Sequence, residues 1–238
     1  MINSERLLRF MDGYFGYGDL TAPFWFIGME EGGEATVDHM NATLDRWHNE
    51  NCPATVDIAP LGTTNPAFAR DRPPIQRTWQ KLIEAILTLQ GVEPTTEAVR
   101  NYQKTTFARP NTAACLLEIM PLPARTTSDW NYDKLSEIPF LKSRKDYLAK
   151  VMPRRKERLR NLINSHNPKA VIFYSKIYFT HWKDIVGSDL LWTDNVRWQE
   201  CRKGQTTFFS MPHPTAPGTS SEDYRLLGKA LARLGTDE

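Results

Sequence analysis

The chain has 238 residues, of which 40% are apolar, and its formal net charge is only +2 at pH 7. This length and composition, without a low-complexity linker, predict one domain over residues 1–238 with a sizeable core. No apolar stretch approaches the roughly 20 residues of a membrane-spanning helix, and the N-terminal segment is unlike a signal peptide. The three cysteines fit neither a disulfide framework nor a metal site; they are Cys52, Cys115 and Cys201. We therefore expect a cytoplasmic protein without membrane contact, metal or cofactor.

Helices and strands are predicted in alternation. Apolar residues spaced three and four apart predict helices at 3–12, 76–90, 144–165 and 221–234. Short apolar runs bounded by Gly or Pro predict buried strands at 24–27, 113–117, 169–175 and 206–211. This alternation favours an α/β fold, with a central, mainly parallel sheet flanked by helices on both faces. The stretch 33–73, rich in Asn, Pro and Thr, is interpreted as a long active-site insertion.

Polar segments follow three of these strands. They read Gly-Met-Glu-Glu-Gly at 28–32, Glu-Ile-Met-Pro-Leu at 118–122 and His-Pro-Thr-Ala-Pro at 213–217. In open α/β sheets the ligand crevice lies at the carboxyl ends of the strands, so we expect the three segments to converge on one site.

In this order the segments resemble the loops of the uracil-DNA glycosylase superfamily, above all its single-strand-selective monofunctional branch. That branch has Gly-Met-Asn-Pro-Gly, Asn-Tyr-Cys-Pro-Leu and His-Pro-Ser-Pro. Here Glu30 and Glu31 replace the Asn and Pro of the first loop, and Glu118 replaces the base-reading Asn of the second. The resemblance spans residues 28–217. It implies the three-layer fold of that superfamily and a monofunctional enzyme that flips out a base and hydrolyses its N-glycosidic bond. Some members carry a four-cysteine iron–sulfur cluster, which three cysteines cannot build.

The reaction requires two catalytic groups, because positive charge develops on the sugar and negative charge on the departing base. By the resemblance, Glu30 would activate the attacking water and stabilise the sugar cation. His213, between Pro212 and Pro214, would donate a hydrogen bond to O2 of the base. The alternatives are an exposed loop acid for Glu30 and a structural histidine for His213.

Glu118 bears on the identity of the base. An ionised carboxylate only accepts hydrogen bonds, so it would repel O4 of uracil and pair with the exocyclic amine of cytosine, while a partly protonated Glu118 would also donate to N3. Unmodified cytosine cannot be the target of a cellular enzyme. We therefore expect a C5-modified cytosine, such as the glucosylated hydroxymethylcytosine of phage DNA that some bacterial relatives excise. The alternative is a buried carboxylate paired with an arginine such as Arg125.

The flipped base also needs a pocket. We expect Gly28 and Met29 to contribute to it and Phe68 to stack on the base, with Trp47 and Trp79 as weaker choices.

A basic segment provides candidate contacts to DNA. Residues 142–160 contain nine basic and two acidic side chains, a surplus of seven positive charges. We expect Arg144, Lys145, Arg154 and Arg155, together with Thr215 of the third loop, to contact the DNA backbone. The alternative for the basic run is a solvated helix face. The tail of the third loop, at 215–218, lacks a large apolar side chain that could enter the base stack.

Three functional hypotheses remain open. The favoured one is a monomeric DNA glycosylase that acts on modified cytosine in phage defence. The others are a uracil-DNA glycosylase of base-excision repair and a non-catalytic nucleic-acid-binding protein on the same scaffold.

Overall fold

The structure, a computed structural model, describes residues 1–33, 35–59, 70–126 and 128–234. The strands are β1 (Gly16–Tyr17), β2 (Phe24–Glu30), β3 (Thr55–Val56), β4 (Ala114–Met120), β5 (Ala170–Tyr174), β6 (Thr193–Asp194), β7 (Gln199–Lys203) and β8 (Thr206–Met211). The helices are α1 (Ser4–Gly13), α2 (Val37–Asn49), α3 (Arg77–Leu89), α4 (Thr96–Thr105), α5 (Tyr132–Leu135), α6 (Arg144–His166), α7 (Phe179–Val186) and α8 (Ser221–Arg233). Short 3-10 turns lie at Pro139–Leu141 and Lys176–Tyr178.

These strands form a sheet in the order β3-β1-β4-β2-β5-β8-β7-β6. The central strands β4, β2, β5 and β8 are parallel. Antiparallel pairs lie on either side of them, between β1 and β4, β7 and β8, and β6 and β7. The predicted α/β class with a mainly parallel sheet is confirmed. The chain passes from β2 to β4 on one side and returns to β5 on the other, and a ligand crevice opens at such a reversal.

The strands form where the sequence is continuously apolar. Every residue of β5 is buried, and so is every residue of β2 except the last one, Glu30. Strands β2 and β4 run on through Glu30 and Met120, so Glu30 and Glu118 lie within strand ends and not in the loops after them. Their side chains are therefore held by the backbone pairing of the sheet.

Local capping explains several helix ends. Ser143 caps α6 by accepting a hydrogen bond from the Asp146 amide, and Ser220 and Asp223 form a reciprocal capping box at the start of α8. Gly91 follows α3 with a φ of 72°, a conformation that glycine adopts readily. Each of these signals is visible in the sequence.

The stretch 33–73 contains regular structure. Its described part includes α2 and β3, and β3 pairs with β1 at one edge of the sheet. Phe68 lies outside the described residues. The sequence patterns also missed α4, which begins after its N-cap, Thr95.

No helix in the described ranges is long and apolar enough to cross a membrane.

Candidate functional site

Four strand ends meet at one cavity of about 930 Å³. Glu30 ends β2, Glu118 lies near the end of β4, Tyr174 ends β5, and His213 follows β8. All four line the cavity. The structure thus brings together the three segments that the sequence singled out and adds a tyrosine from the fourth parallel strand.

Glu118 and Tyr174 form a hydrogen-bonded pair that depends on Gly28. The Tyr174 hydroxyl donates to Glu118 Oε1 at 2.6 Å. Gly28 pairs with Glu118 in the β2–β4 register, and a β-carbon added to Gly28 would lie 2.3 Å from Glu118 Oε2 and 2.4 Å from the Tyr174 hydroxyl oxygen. Gly28 therefore provides the space for this pair.

The environment of Glu118 favours its neutral form. Burial, together with the negative charges of Glu31 and Glu30, raises the pKa of Glu118 to about 8 against the opposing effect of the Tyr174 hydrogen bond. Oε2 is buried and has no hydrogen-bond partner among the described residues. A neutral Glu118 offers both a donor and an acceptor, whereas an ionised carboxylate only accepts hydrogen bonds. Arg125, considered earlier as its partner, is paired with Asp129.

Glu30 is paired with Arg144, the first residue of α6. Arg144 Nη2 donates to Glu30 Oε1 at 2.6 Å, and the two side chains are only 14% and 10% exposed. Burial raises the pKa of Glu30, while the hydrogen bond and charge of Arg144 oppose this shift. Glu30 Oε2 and Arg144 Nη1 are buried without hydrogen-bond partners in the described part of the chain. The described residues thus leave one buried acceptor and one buried donor of this pair unsatisfied.

Glu31, which directly follows β2, is a second partly buried acid at this strand end. The Tyr17 hydroxyl lies 3.1 Å from both of its carboxylate oxygens, and burial raises its pKa to about 7 although Tyr17 and Arg46 act in the other direction. The backbone of Glu31 accepts a hydrogen bond from the Ala124 amide at 3.0 Å. This bond connects the first loop to the segment after β4.

His213 is held as a neutral hydrogen-bond donor. The Thr215 backbone N–H donates to Nδ1 at 3.2 Å, and the Thr215 hydroxyl lies 2.9 Å from the same atom. Because a backbone N–H can only donate, Nδ1 is unprotonated and the ring proton is on Nε2. Burial, and then the charge of Lys81, lower the pKa of His213. Thr215, expected to contact DNA, is thus placed where it orients His213.

Two side chains from helices fix the backbone around His213. Lys81 of α3 donates from Nζ to the carbonyls of Pro214 and Thr219. The Tyr224 hydroxyl of α8 donates to the Pro212 carbonyl at 2.7 Å. The loop is therefore anchored on both sides of the histidine.

Arg155 occupies the interior and does not suit the contact with DNA that was expected of it. It is 1% exposed, and its guanidinium lies 3.6 Å from the centre of the Phe15 ring. Nε donates to the Ile119 carbonyl at 2.6 Å and Nη2 to the Glu118 carbonyl at 3.0 Å. Arg155 therefore supports the strand end that carries Glu118.

Other basic residues of α6 have internal partners. Arg154 and Arg158 both pair with Asp12, and Lys156 pairs with Asp184 at 2.7 Å. Lys145 is exposed to solvent. Of the four basic residues expected on DNA, Arg144 pairs with Glu30, whereas Arg154 and Lys145 lie on the surface.

Several aromatic side chains line the cavity together with Met29. Trp47 is 4% exposed, and its indole donates to the Pro53 carbonyl at 2.8 Å. Trp79 packs against Phe107 with ring centres 5.9 Å apart. Both weaker stacking candidates therefore reach the cavity wall.

Sequence reasoning missed Tyr174, Tyr17 and Lys81. Tyr174 was detectable, because it is the polar end of a predicted buried strand and obeys the rule applied to the other three strands. Tyr17 and Lys81 gave no such signal, since their contacts join distant parts of the chain.

Within the described ranges, no group of three or more His, Cys, Asp and Glu side chains could hold a metal ion. No protein-family model matches the chain, and a search of curated proteins finds no significant match.

Proposed function

We propose that this chain is a monofunctional DNA glycosylase that hydrolyses the N-glycosidic bond of a flipped base and leaves an abasic site. Its preferred base is a C5-modified cytosine, such as glucosylated hydroxymethylcytosine in phage DNA. The observation that carries the proposal is the convergence of Glu30, Glu118 and His213 on one cavity at the ends of parallel strands. The proposal includes a monomer that binds DNA without a metal, and a three-layer fold with helices on both faces of the sheet.

Glu30 is the group that acts on the sugar and water. Its free Oε2 can accept a hydrogen bond from the attacking water and draw off a proton as the water adds to the anomeric carbon. The carboxylate also stabilises the positive charge that develops on the sugar. Arg144 keeps Glu30 in one orientation through its hydrogen bond to the other oxygen.

His213 and Glu118 act on the departing base. The Nε2–H of a neutral His213 can donate to O2, where negative charge accumulates. A neutral Glu118 can donate from its carboxyl to N3 of cytosine and accept from the exocyclic amine. Cytosine leaves poorly as an anion, so a nearby acid with a raised pKa suits its departure.

The cavity volume supports a base with a large substituent. Ligand pockets span about 300–1,000 Å³, and this cavity of about 930 Å³ lies near the upper limit. Its wall extends from the strand ends to α2, where His39, Thr43 and Arg46 contribute polar groups. A substituent at C5 would have both space and hydrogen-bonding partners there.

Uracil is the second candidate base, because a neutral carboxyl can also donate to O4 and accept from N3–H.

The test of the proposed function is base release from matched DNAs that contain uracil, cytosine, 5-hydroxymethylcytosine or its glucosylated form. We expect release only from modified-cytosine DNA. Release from uracil DNA alone would assign the protein to repair, and no release from any of the four would contradict catalysis on these bases.

The same assay separates hydrolysis from a lyase reaction. Among the described cavity-lining residues the one lysine is Lys176, which a lyase would use as its nucleophile. Strand breakage that requires alkali supports a monofunctional enzyme, whereas breakage without alkali would assign a lyase step.

A further inference from the structure

The turn after β5 presents an exposed apolar side chain at the cavity. Ile177, the middle residue of the 3-10 turn Lys176–Tyr178, is 82% exposed and lines the cavity. Other large apolar residues on the described surface do not line it; they are Met1, Leu8, Val92, Leu191 and Val196. Ile177 therefore lies at the rim of the proposed base pocket.

The base of this turn is held firmly. The Ser175 amide donates to the Met211 carbonyl at 3.0 Å, and the Trp182 indole donates to the Ser175 carbonyl at 2.9 Å. Tyr178 packs edge-on against Trp182 with ring centres 6.2 Å apart. Ser175 has a φ of 151°, which is rare for a residue other than glycine. The turn is thus fixed by its neighbours in a conformation that exposes Ile177.

An exposed apolar residue at this position has a use if the chain acts on double-stranded DNA. A flipped base leaves a gap in the stack, and enzymes and architectural proteins insert apolar side chains between bases. Residues 215–218 of the third loop offer no large apolar side chain for this purpose. Lys176, next to Ile177, adds a positive charge that favours a nearby phosphate.

We propose that Ile177 enters the base stack of duplex DNA and fills the gap left by the flipped nucleotide. This inference rests on the proposed glycosylase function and adds to it a residue and a preferred substrate form. Isolated apolar residues on a surface are common and require no explanation. Ile177 differs from the others because it adjoins the cavity and is presented by an anchored turn.

The test compares Ile177→Ala with Ile177→Leu on the same modified base in duplex and in single-stranded DNA. In single-turnover release from duplex, we expect Ile177→Ala to lose about 10- to 100-fold, the factor that corresponds to the loss of one buried isoleucine side chain. Release from the single strand should stay within about 3-fold, because there is little stacking to replace. Ile177→Leu should retain the duplex rate. The matched control is Leu191→Ala, at a residue 92% exposed and away from the cavity, which should change neither rate.

A second readout separates this inference from the proposed function. A 2-aminopurine placed next to the target base becomes more fluorescent when the stack opens, whether or not the base is cleaved. If the wild type releases no base, the glycosylase proposal fails, and the fluorescence alone decides whether Ile177 enters the stack. An increase that is lost in Ile177→Ala supports the inserted side chain. No increase with the wild type overturns it. If the wild type does release base, an unchanged duplex rate in Ile177→Ala, an equal loss on both DNA forms, or wild-type activity restricted to the single strand would overturn it.

Discussion

Helix α6 and the strand-end site differ in whether their charged side chains have partners within the protein. The helix contains eight arginines and lysines but only two acidic side chains, yet Arg154, Arg155 and Lys156 are bonded to other parts of the protein. The strand ends carry few charges, but buried oxygens of Glu30 and Glu118 have no hydrogen-bond partner among the described residues. Unpaired polar atoms in a buried site are costly unless a ligand satisfies them.

This contrast separates charge that stabilises the fold from charge that is available for function. A count of basic residues along a helix cannot distinguish the two, because each partner lies far away in the sequence. The Arg155 guanidinium, for example, bonds to Ile119 across 36 positions. The functional site is better identified by its geometry and its unsatisfied atoms than by the density of charge.

The largest expected effect is the dependence of stability on pH, which tests whether the strand-end carboxyls are neutral. The pKa values of Glu118 and Glu31 are raised from 4.5 to about 8 and about 7, so the folded state holds protons that the unfolded state releases. Their contribution to stability is complete below pH 4.5 and is lost as the pH rises through 7 and 8. For Glu118 the loss is on the order of 5 kcal/mol.

The measurement is the free energy of unfolding between pH 5 and pH 9, from denaturant titrations. We expect a steady fall that Glu118→Gln makes shallower, while Glu222→Gln, at an exposed acid of α8, leaves the slope unchanged. Stability that is flat or increases over this range would show that the two carboxyls are ionised in the folded protein.

Substitution of two adjacent arginines of α6 compares a buried basic side chain with an exposed one. Arg155→Met removes hydrogen bonds to the buried carbonyls of Glu118 and Ile119, so it should lower the free energy of unfolding by about 3 kcal/mol. Arg154→Ala removes an exposed ion pair with Asp12 and should cost no more than about 1 kcal/mol. Urea denaturation measures both. Equal effects would contradict the assignment of Arg155 to the interior.

Gly28→Ala tests the contact between β2 and the Glu118–Tyr174 pair. The added β-carbon would collide with both side chains, which must then move apart, and we expect a loss of about 2 kcal/mol in stability. Gly32→Ala is the matched control, because a β-carbon at Gly32 meets no atom within 4 Å. Thermal unfolding measures the difference. A Gly28→Ala protein as stable as the control would mean that the pair is not tightly packed.

The smallest effect is expected for an exposed lysine of α6. Lys145→Ala should leave stability unchanged within about 0.5 kcal/mol, since the side chain is exposed. If Lys145 contacts a phosphate, DNA affinity falls slightly and the slope of log affinity against log salt decreases by about 1. Fluorescence anisotropy over a salt series measures both quantities. An unchanged salt slope would place the DNA path away from the start of α6.

The sequence predicted the central strands and four of the helices, because continuous apolar runs and capping residues are local signals. It also indicated Glu30, Glu118 and His213, since the ends of parallel strands meet at one edge of a sheet. The neighbours of Glu118 in the chain give no signal of its raised pKa, because burial and the charges of Glu31 and Glu30 act only in the folded structure.

Long-range partners were also beyond the sequence. Glu30 and Arg144 are 114 positions apart and meet only because α6 begins beside the end of β2. Charge alone placed Arg144 among the expected DNA contacts, and only the fold shows that its side chain pairs with Glu30.

The most direct measurement is single-turnover base release from duplex DNA containing glucosylated hydroxymethylcytosine, by the wild type and by Glu30→Gln. We expect the wild type to release the base and Glu30→Gln to lose at least about 100-fold in rate, because the amide cannot accept the proton from water. DNA affinity should be unchanged in Glu30→Gln, and the exposed Glu222→Gln should match the wild type in both assays. Equal release by the wild type and Glu30→Gln, or none by either, would contradict the assignment of catalysis to the strand-end site.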